Sequence, residues 1–184
     1  KLSCFTRQIV FLRPDTFIVF DRVSAVRPEF QKTWLLQALT PPTPGDGCLV
    51  VTNGKGRLFL QTLLPENPQV RLVSGADLYA YGGRGYPPSR NTGPAPACRI
   101  EVAPTVPRTM DYFLHVLKAT RSEDVDGPNA GATVSHGQIR VTVGAATITF
   151  GMDSVGGTFE QDGRRADLAQ IGRASRRERV CYVV

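Results

Sequence analysis

The chain has 184 residues, of which 41% are hydrophobic and 21% are charged, as in an ordinary globular domain. No apolar run of about 18 residues is present, so the sequence predicts no membrane-spanning helix. Half of the net charge of +6 lies in the tail, which carries Arg173, Arg176, Arg177 and Arg179 against a single acid, Glu178. Without this tail the domain is only mildly basic, and its basic residues are not interleaved with aromatics, so nucleic acid is not an expected partner.

Short β-prone runs separated by Gly, Pro, Asn and Asp dominate the sequence and predict strands. In chain order they are Arg7–Arg13, Thr16–Val23, Phe30–Leu39, Cys48–Thr52, Gly56–Leu64, Gln69–Val73, Leu78–Tyr81, Cys98–Ala103, Tyr112–Ala119, Gln138–Val143 and Ala146–Phe150. Pro14-Asp15, Asn53-Gly54 and Gly144-Ala145 are turn sequences between consecutive runs. No stretch of useful length has a sustained helical period, and although Thr33–Leu39 has helical propensity, its proline-rich successor favours a strand. The prediction is one all-β domain over residues 1–170, an antiparallel β-sandwich or a stack of β-sheets.

One predicted connection, Gly82–Pro96, is longer than most loops of compact domains, and loops of this length are often functional. It carries Arg84, Tyr86, Arg90 and Asn91, which suit carboxylate or sulfate groups and stacking on sugar rings. These four residues are therefore candidates for substrate binding. The alternative is a solvated connection without a binding role.

Asp21 is a candidate metal ligand, because strand alternation places its carboxylate on the apolar face that also carries Phe17, Val19 and Val23. A buried carboxylate requires a compensating partner. That partner could be a metal ion, backbone amides, or an arginine, for which Arg7, Arg13 and Arg99 are the candidates.

His115 has apolar neighbours on both faces of its run, which predicts a central, buried strand. It is interpreted either as a neutral histidine with one hydrogen bond or as a ligand or proton-transfer group. His136 precedes Gly137 in a predicted turn and should be exposed. No nucleophile elbow, zinc-protease motif or phosphate-binding loop is present, so no catalytic residue is assigned.

The four cysteines, Cys4, Cys48, Cys98 and Cys181, are too widely spaced for a CxxC metal or redox motif. We interpret them as scattered buried thiols, although the sequence also permits a disulfide between any pair.

Several runs resemble, in the same order, the β-domain of heparinase II/III-like proteins. The similar segments are Arg7–Asp15 with Thr16–Val23, Gly54–Leu58 through Thr62–Pro65, Arg99–Pro104, and Asp111–Leu117. The resemblance extends over roughly Arg7 to Phe150. It implies the C-terminal antiparallel sheets of a polysaccharide lyase whose N-terminal partner domain is an α/α toroid.

Lyases of this family cleave uronic-acid polysaccharides, such as heparin, heparan sulfate or alginate, by β-elimination. The resemblance implies an acidic polysaccharide as partner, a periplasmic or secreted location, and a β-domain that supports the toroid and lines the substrate cleft. In some members an Asp at the position resembling Asp21 holds a divalent metal such as zinc, but Gln37 stands here where others have a His. The residues expected to catalyse the reaction belong to the toroid and a His-rich segment, so we expect the chain to be inactive alone. The alternative is a non-catalytic carbohydrate-binding or immunoglobulin-like module.

The tail, residues 171–184, has a different character. Its segment Ile171–Val180 resembles a translated sequencing adapter at every position except Arg176. We therefore expect residues 171–184 to be a non-native or disordered tail that does not pack on the domain. The alternative is a genuine basic tail that binds nucleic acid or acidic glycan.

Overall fold

The fold is that of a computed structural model, which describes residues 1–90 and 92–168, together with the backbone of residues 179–183. The strands are β1 (Leu2–Leu12), β2 (Thr16–Ala25), β3 (Trp34–Ala38), β4 (Thr43–Pro44), β5 (Leu49–Asn53), β6 (Gly56–Leu64), β7 (Gln69–Ser74), β8 (Ala80–Tyr81), β9 (Arg84–Gly85), β10 (Cys98–Ala103), β11 (Met110–Arg121), β12 (Ala130–Ser135), β13 (Gln138–Val143), β14 (Ala146–Gly151), β15 (Gly157–Gln161), β16 (Arg164–Asp167) and β17 (Arg179–Val183). A 3-10 helix, Gly75–Tyr79, lies between β7 and β8.

These strands form a stack of sheets around a central one. The central sheet has seven strands in the order β17-β1-β2-β11-β6-β5-β4. A five-stranded sheet, β12 to β16 in sequence order, packs on one face, and a three-stranded sheet, β3-β10-β7, packs on the other. Strands β8 and β9 form a separate two-stranded hairpin. Every described strand pair is antiparallel except β1 with β17.

Strand alternation in the central sheet divides its side chains between two cores. In β2, Ile18 and Phe20 point toward the five-stranded sheet, whereas Asp21 and Val23 point toward the three-stranded sheet. The first core consists of Val10, Leu12, Ile18, Phe20, Leu114, Val116, Ile139, Val141, Ala146, Ile148, Phe150 and Leu168. The second consists of Val23, Trp34, Ala38, Val51, Leu60, Cys98, Ile100, Val102 and Phe113. Both faces of β2 and β11 are therefore buried.

The all-β prediction is confirmed, and the predicted hairpin turns are found where expected. Gly54 and Gly144 both have a positive φ, 57° and 56°, in the tight turns that join β5 to β6 and β13 to β14. Segment Thr33–Leu39 contains β3, as predicted. Leu78, in contrast, belongs to the 3-10 helix and not to a strand.

The tail differs in part from its predicted behaviour. The backbone of β17 runs parallel to β1, with Arg7 opposite Arg179 and Phe11 opposite Val183. We had expected no packing of the tail on the domain, so this pairing departs from that prediction for residues 179–183. Residues 169–178 and 184 lie outside the described part, and the non-native origin of the tail stays a prediction. No helix among the described residues is long and apolar enough to cross a membrane.

Candidate functional site

Asp21 is buried and pairs with Arg7, one of the three arginines considered from the sequence. The two residues lie directly opposite each other in β1 and β2. Arg7 donates from Nε to Oδ1 at 2.7 Å and from Nη2 to Oδ2 at 2.6 Å, a two-pronged contact that uses both carboxylate oxygens. The Asp21 side chain is only 2% exposed, whereas that of Arg7 is 35% exposed.

Burial and pairing act in opposite directions on this carboxyl group. Burial raises the pKa of Asp21 above its ordinary value, while the hydrogen bonds and positive charge of Arg7 oppose that rise. The hydrogen bonds to Asp21 raise the pKa of Arg7, which stays a cation. The pair is thus a neutralised ion pair at the wall of the second core.

A second buried ion pair, Lys32–Asp111, lies on the same side of the central sheet. Lys32 Nζ is 2.9 Å from Asp111 Oδ2, and both side chains are at most 5% exposed. The orientation is that of an ion pair and not of an aligned hydrogen bond, because Lys32 directs its donors to the carbonyls of Phe30 and Arg108, at 3.3 and 2.5 Å. This pair was not predicted from the sequence. Its only signal was the position of Asp111 on the face of β11 that also carries Phe113.

His115 lies on the same face of β11 and is completely buried, as predicted from its apolar neighbours. Its Nδ1 is 3.1 Å from the hydroxyl oxygen of Thr62, and its ring stacks at 3.8 Å, centroid to centroid, on Trp34. Burial, together with the positive charge of Arg7, lowers the pKa of His115 to about 3. Within the described residues, His115 Nε2 and Trp34 Nε1 have no hydrogen-bond partner. His115 is thus a neutral histidine that is closed off from solvent.

The arrangement around Asp21 does not reproduce the metal site implied by the resemblance. Among the described residues, no group of three His, Cys, Asp or Glu side chains could hold a metal ion. Gln37 lies opposite Arg99, on the face of the three-stranded sheet that points away from Asp21. Asp21 therefore has an arginine as its partner in the described part of the chain.

A pocket of about 360 Å³ opens beside the two ion pairs, and Arg7, Asp21, Lys32, Trp34 and Phe113 line it together with five further residues. Acid–base chemistry needs a group that can release or accept a proton near neutral pH. Here each carboxylate has a cation beside it, and the neutral imidazole is enclosed. These buried charged residues are therefore engaged with one another at the wall of the second core.

The substrate-binding candidates lie elsewhere, in the β8–β9 hairpin and in the segment that follows it. Gly82 and Gly83, with φ of 60° and 78°, form the turn that brings Tyr81 opposite Arg84. The Arg84 guanidinium lies 5.4 Å from the ring centre of Tyr86, and both side chains are exposed. Arg90 is also exposed. Asn91 lies outside the described residues.

Arg99, the third candidate partner of Asp21, has a different role from the one considered. It lies on the outer face of the three-stranded sheet, where its Nη2 is 2.7 Å from Glu101 Oε1. Its remaining donors bind the carbonyl oxygens of Leu78 and Ala80. This contact is not predictable from the sequence pattern, because the carbonyl acceptors are independent of side-chain identity.

The remaining predictions concern His136 and the cysteines. His136 is exposed in the turn between β12 and β13, as predicted. Cys98 is a buried free thiol, but Cys48 is half-buried and Cys4 is exposed, so the expectation of uniformly buried thiols is wrong. The side chain of Cys181 lies outside the described part of the chain.

The comparisons with known proteins add no relative. No protein-family model matches the chain, and no curated protein is similar enough to count as a match.

Proposed function

We propose that this chain is the β-domain of a polysaccharide lyase that cleaves uronic-acid glycans, of the heparin, heparan sulfate or alginate kind, by β-elimination. In this role it supports an N-terminal α/α toroid of the same protein and contributes to the substrate cleft, in the periplasm or outside the cell. The observation that carries the proposal is the exposed pair Arg84–Tyr86, a guanidinium over an aromatic ring in β9 and directly after it. A cation beside an exposed ring suits a sugar that bears a carboxylate or sulfate.

In this proposal the groups that catalyse the reaction belong to the toroid. β-Elimination requires a base for the proton alpha to the uronate carboxylate, a neutraliser for that carboxylate, and an acid for the leaving oxygen. In the described part of this chain, Asp21 and Asp111 are already paired and His115 is enclosed. The domain would therefore bind and position the glycan while the toroid performs proton transfer.

The test has two readouts on the 184-residue chain. Incubation with heparin or alginate should release no unsaturated uronate, measured by ultraviolet absorbance of the enone. The same chain should bind these glycans, and Arg84→Ala or Tyr86→Ala should weaken binding roughly tenfold, the value of one charge-assisted contact. Arg27→Ala, which removes an exposed arginine near the end of β2, is the matched control. Product release by the chain alone would contradict the assignment of catalysis to the toroid.

The second candidate is a non-catalytic carbohydrate-binding module. The enclosed His115 and the paired carboxylates of Asp21 and Asp111 support this candidate as well as they support the first. The gene sequence upstream separates the two. A helical segment rich in Tyr and His supports the lyase, and a short linker to an unrelated module supports the binding module.

A further inference from the structure

We propose that the outer face of the three-stranded sheet is a binding groove for an acidic oligosaccharide, in which Arg71 binds the anionic group and Tyr81 stacks on a sugar ring. The inference rests on the proposed function and names the place where the glycan lies. The groove is an additional binding site beside the exposed residues Arg84 and Tyr86, and it was not predicted from the sequence.

The floor of the groove is set by the register of β3, β10 and β7. Glu101 of β10 lies between Leu35 and Arg71, and Ala103 lies opposite Gln69. Because directly paired residues share a face, these side chains point away from the second core. The floor thus offers amide, guanidinium and carboxylate groups around two apolar side chains, Leu35 and Ala103.

One wall of the groove is the segment from the 3-10 helix to the β8–β9 turn. Asp77, Ala80, Tyr81, Gly82 and Gly83 line it. Arg99 fixes this wall to the floor, since its guanidinium binds the carbonyls of Leu78 and Ala80 as well as Glu101. The wall is therefore positioned before any ligand arrives, which lowers the entropic cost of binding.

The two arginines of the groove differ in how far they are already engaged. Arg99 is 11% exposed, and its donors are occupied by Glu101 and by the two carbonyls. Arg71 is 65% exposed and approaches Glu101 Oε2 only to 4.0 Å. An exposed pair at this distance is weak, so the Arg71 guanidinium is available to a carboxylate or sulfate.

Tyr81 supplies the apolar surface that a sugar ring needs. Its side chain is 78% exposed although its backbone is held in the hairpin. A large exposed aromatic on a fixed backbone loses little entropy on binding. Tyr81 pairs with Arg84 across the two-residue turn, so the pair Arg84–Tyr86 belongs to the same hairpin as the wall of the groove.

The dimensions and polarity of the groove suit an oligosaccharide. Its volume is about 890 Å³, and Gln31, Thr33 and Gln69 add hydrogen-bonding side chains for hydroxyl groups. This volume falls within the range of about 300–1,000 Å³ typical of ligand sites. The ionisable side chains that line it, Arg71, Arg99, Asp77 and Glu101, are balanced in charge. Attraction for an anion therefore comes from the uncommitted Arg71 and from Arg84 at the rim.

The experiment measures binding of three hexasaccharides to the 184-residue chain by titration calorimetry. The probes are heparin-derived, alginate-derived and, as the neutral control, maltohexaose. The variants are Arg71→Gln and Tyr81→Ala, with Arg121→Gln as an exposed-arginine control on β11 and Arg84→Ala as the hairpin reference. Thermal unfolding of each variant checks that the fold is retained.

We expect Arg71→Gln and Tyr81→Ala each to weaken binding of an acidic hexasaccharide roughly tenfold, with no change for Arg121→Gln. Alginate carries carboxylates alone, so its binding identifies carboxylate recognition, and binding of heparin alone identifies sulfate recognition. Full affinity in both variants, with a loss in Arg84→Ala, would overturn the groove and leave the proposed function standing. Absence of acidic-glycan binding by the unaltered chain would instead contradict the proposed function. Equal binding of maltohexaose, unaffected by Arg71→Gln, would overturn the role of Arg71.

Discussion

The ion pair Arg7–Asp21 is unequal in its access to water, and this decides which of its partners is harder to remove. Arg7 reaches the surface at the edge of the pocket, whereas Asp21 lies on β2, where it is enclosed between β1 and β11. If Asp21 loses its charge, Arg7 can turn toward solvent. If Arg7 is removed, the carboxylate keeps its burial and loses its cation.

We therefore predict that Arg7→Met destabilises the protein more than Asp21→Asn does. Neutralising Asp21 should cost about 1–3 kcal/mol, the range for a disrupted buried polar contact. Leaving Asp21 buried without its cation should cost about 3–4 kcal/mol, near the low end for broken buried pairs because water can enter beside it. Urea unfolding at pH 7 measures both, and an equal or reversed order would contradict the argument.

The penalty in Arg7→Met should also depend on pH. Burial raises the pKa of Asp21, and without Arg7 nothing opposes that rise. In the folded variant, ionisation of the buried Asp21 carboxyl group is unfavourable, so the stability of the variant falls as pH rises through the pKa of the unfolded state. The loss of stability becomes smaller as pH falls and the carboxyl group is protonated. The stability difference from the unaltered protein should accordingly be smaller at pH 5 than at pH 7.

His115 predicts a second pH effect, with the opposite sign. Its pKa is about 3 in the folded protein and about 6.5 when unfolded. Between these values only the unfolded state binds the proton, so His115 destabilises the fold progressively as pH falls below about 6.5. The slope reaches at most about 1.4 kcal/mol per pH unit for one proton.

We predict that His115→Gln removes this part of the pH dependence between pH 6.5 and pH 4, measured by urea unfolding at several pH values. His136→Asn is the control, because His136 is exposed in a turn with positive φ, which Asn tolerates. An unchanged slope in His115→Gln would show that folding does not lower the pKa of His115.

The sequence allowed some of these residues to be placed, for a definite physical reason. Alternation in an apolar run identified Asp21 and His115 as buried, because burial follows directly from the period of a strand. Lys32 was not predicted to form an ion pair, since its partner Asp111 is distant in sequence. Long-range pairing depends on sheet order, which local pattern does not determine.

Among the elements, the segment from the 3-10 helix to the β8–β9 hairpin depends on one side chain. Arg99 binds the carbonyls of Leu78 and Ala80, while the short hairpin itself has few backbone bonds. Backbone held by so few contacts opens readily unless a side chain fixes it.

We predict that Arg99→Lys accelerates amide hydrogen exchange of residues 76–86 without unfolding the sheets. Lysine keeps the positive charge but lacks the planar guanidinium, so its single ammonium group cannot bind Glu101 and both carbonyls at once. The amide of Tyr86, which donates to the Tyr79 carbonyl at 2.7 Å, is the most direct probe. Arg71→Lys, on the neighbouring strand, should leave that exchange unchanged. Equal protection in Arg99→Lys would show that the hairpin is held by its backbone alone.

Strands were predictable where turn chemistry and hydrophobic alternation agreed, as in β13 and β14 around Gly144. They were missed where the strand is exposed and polar. Strand β16, Arg164–Asp167, is exposed throughout, and β12 is built largely of small residues. Such edge strands form because a neighbouring strand offers unpaired backbone groups, and this cause cannot be predicted from the residues of the edge strand itself.

For the whole molecule, the central sheet is the element that both cores share. Strands β2 and β11 bury both faces, so a defect in either core reaches the other through the same backbone. Strand β17 contributes at one edge of this sheet only, beside β1.

We predict that deleting residues 171–184 changes the free energy of unfolding by no more than about 0.5 kcal/mol, as for changes away from the core. The reason is that β1 is already paired with β2 and has its buried side chains covered by the five-stranded sheet. Thermal and urea unfolding of the shortened chain measure the effect. A loss of several kcal/mol would show that β17 is an integral strand and that its resemblance to an adapter is coincidental.

The strand order of the central sheet also bears on how the chain is synthesised. The five-stranded sheet joins strands that are neighbours in sequence, so each can pair as soon as it leaves the ribosome. Strand β2 must wait for β11, and until then it carries apolar side chains on both faces and an open hydrogen-bonding edge. The interval between these two strands is when the nascent chain is most exposed to aggregation, and it is where a chaperone would have the most to protect.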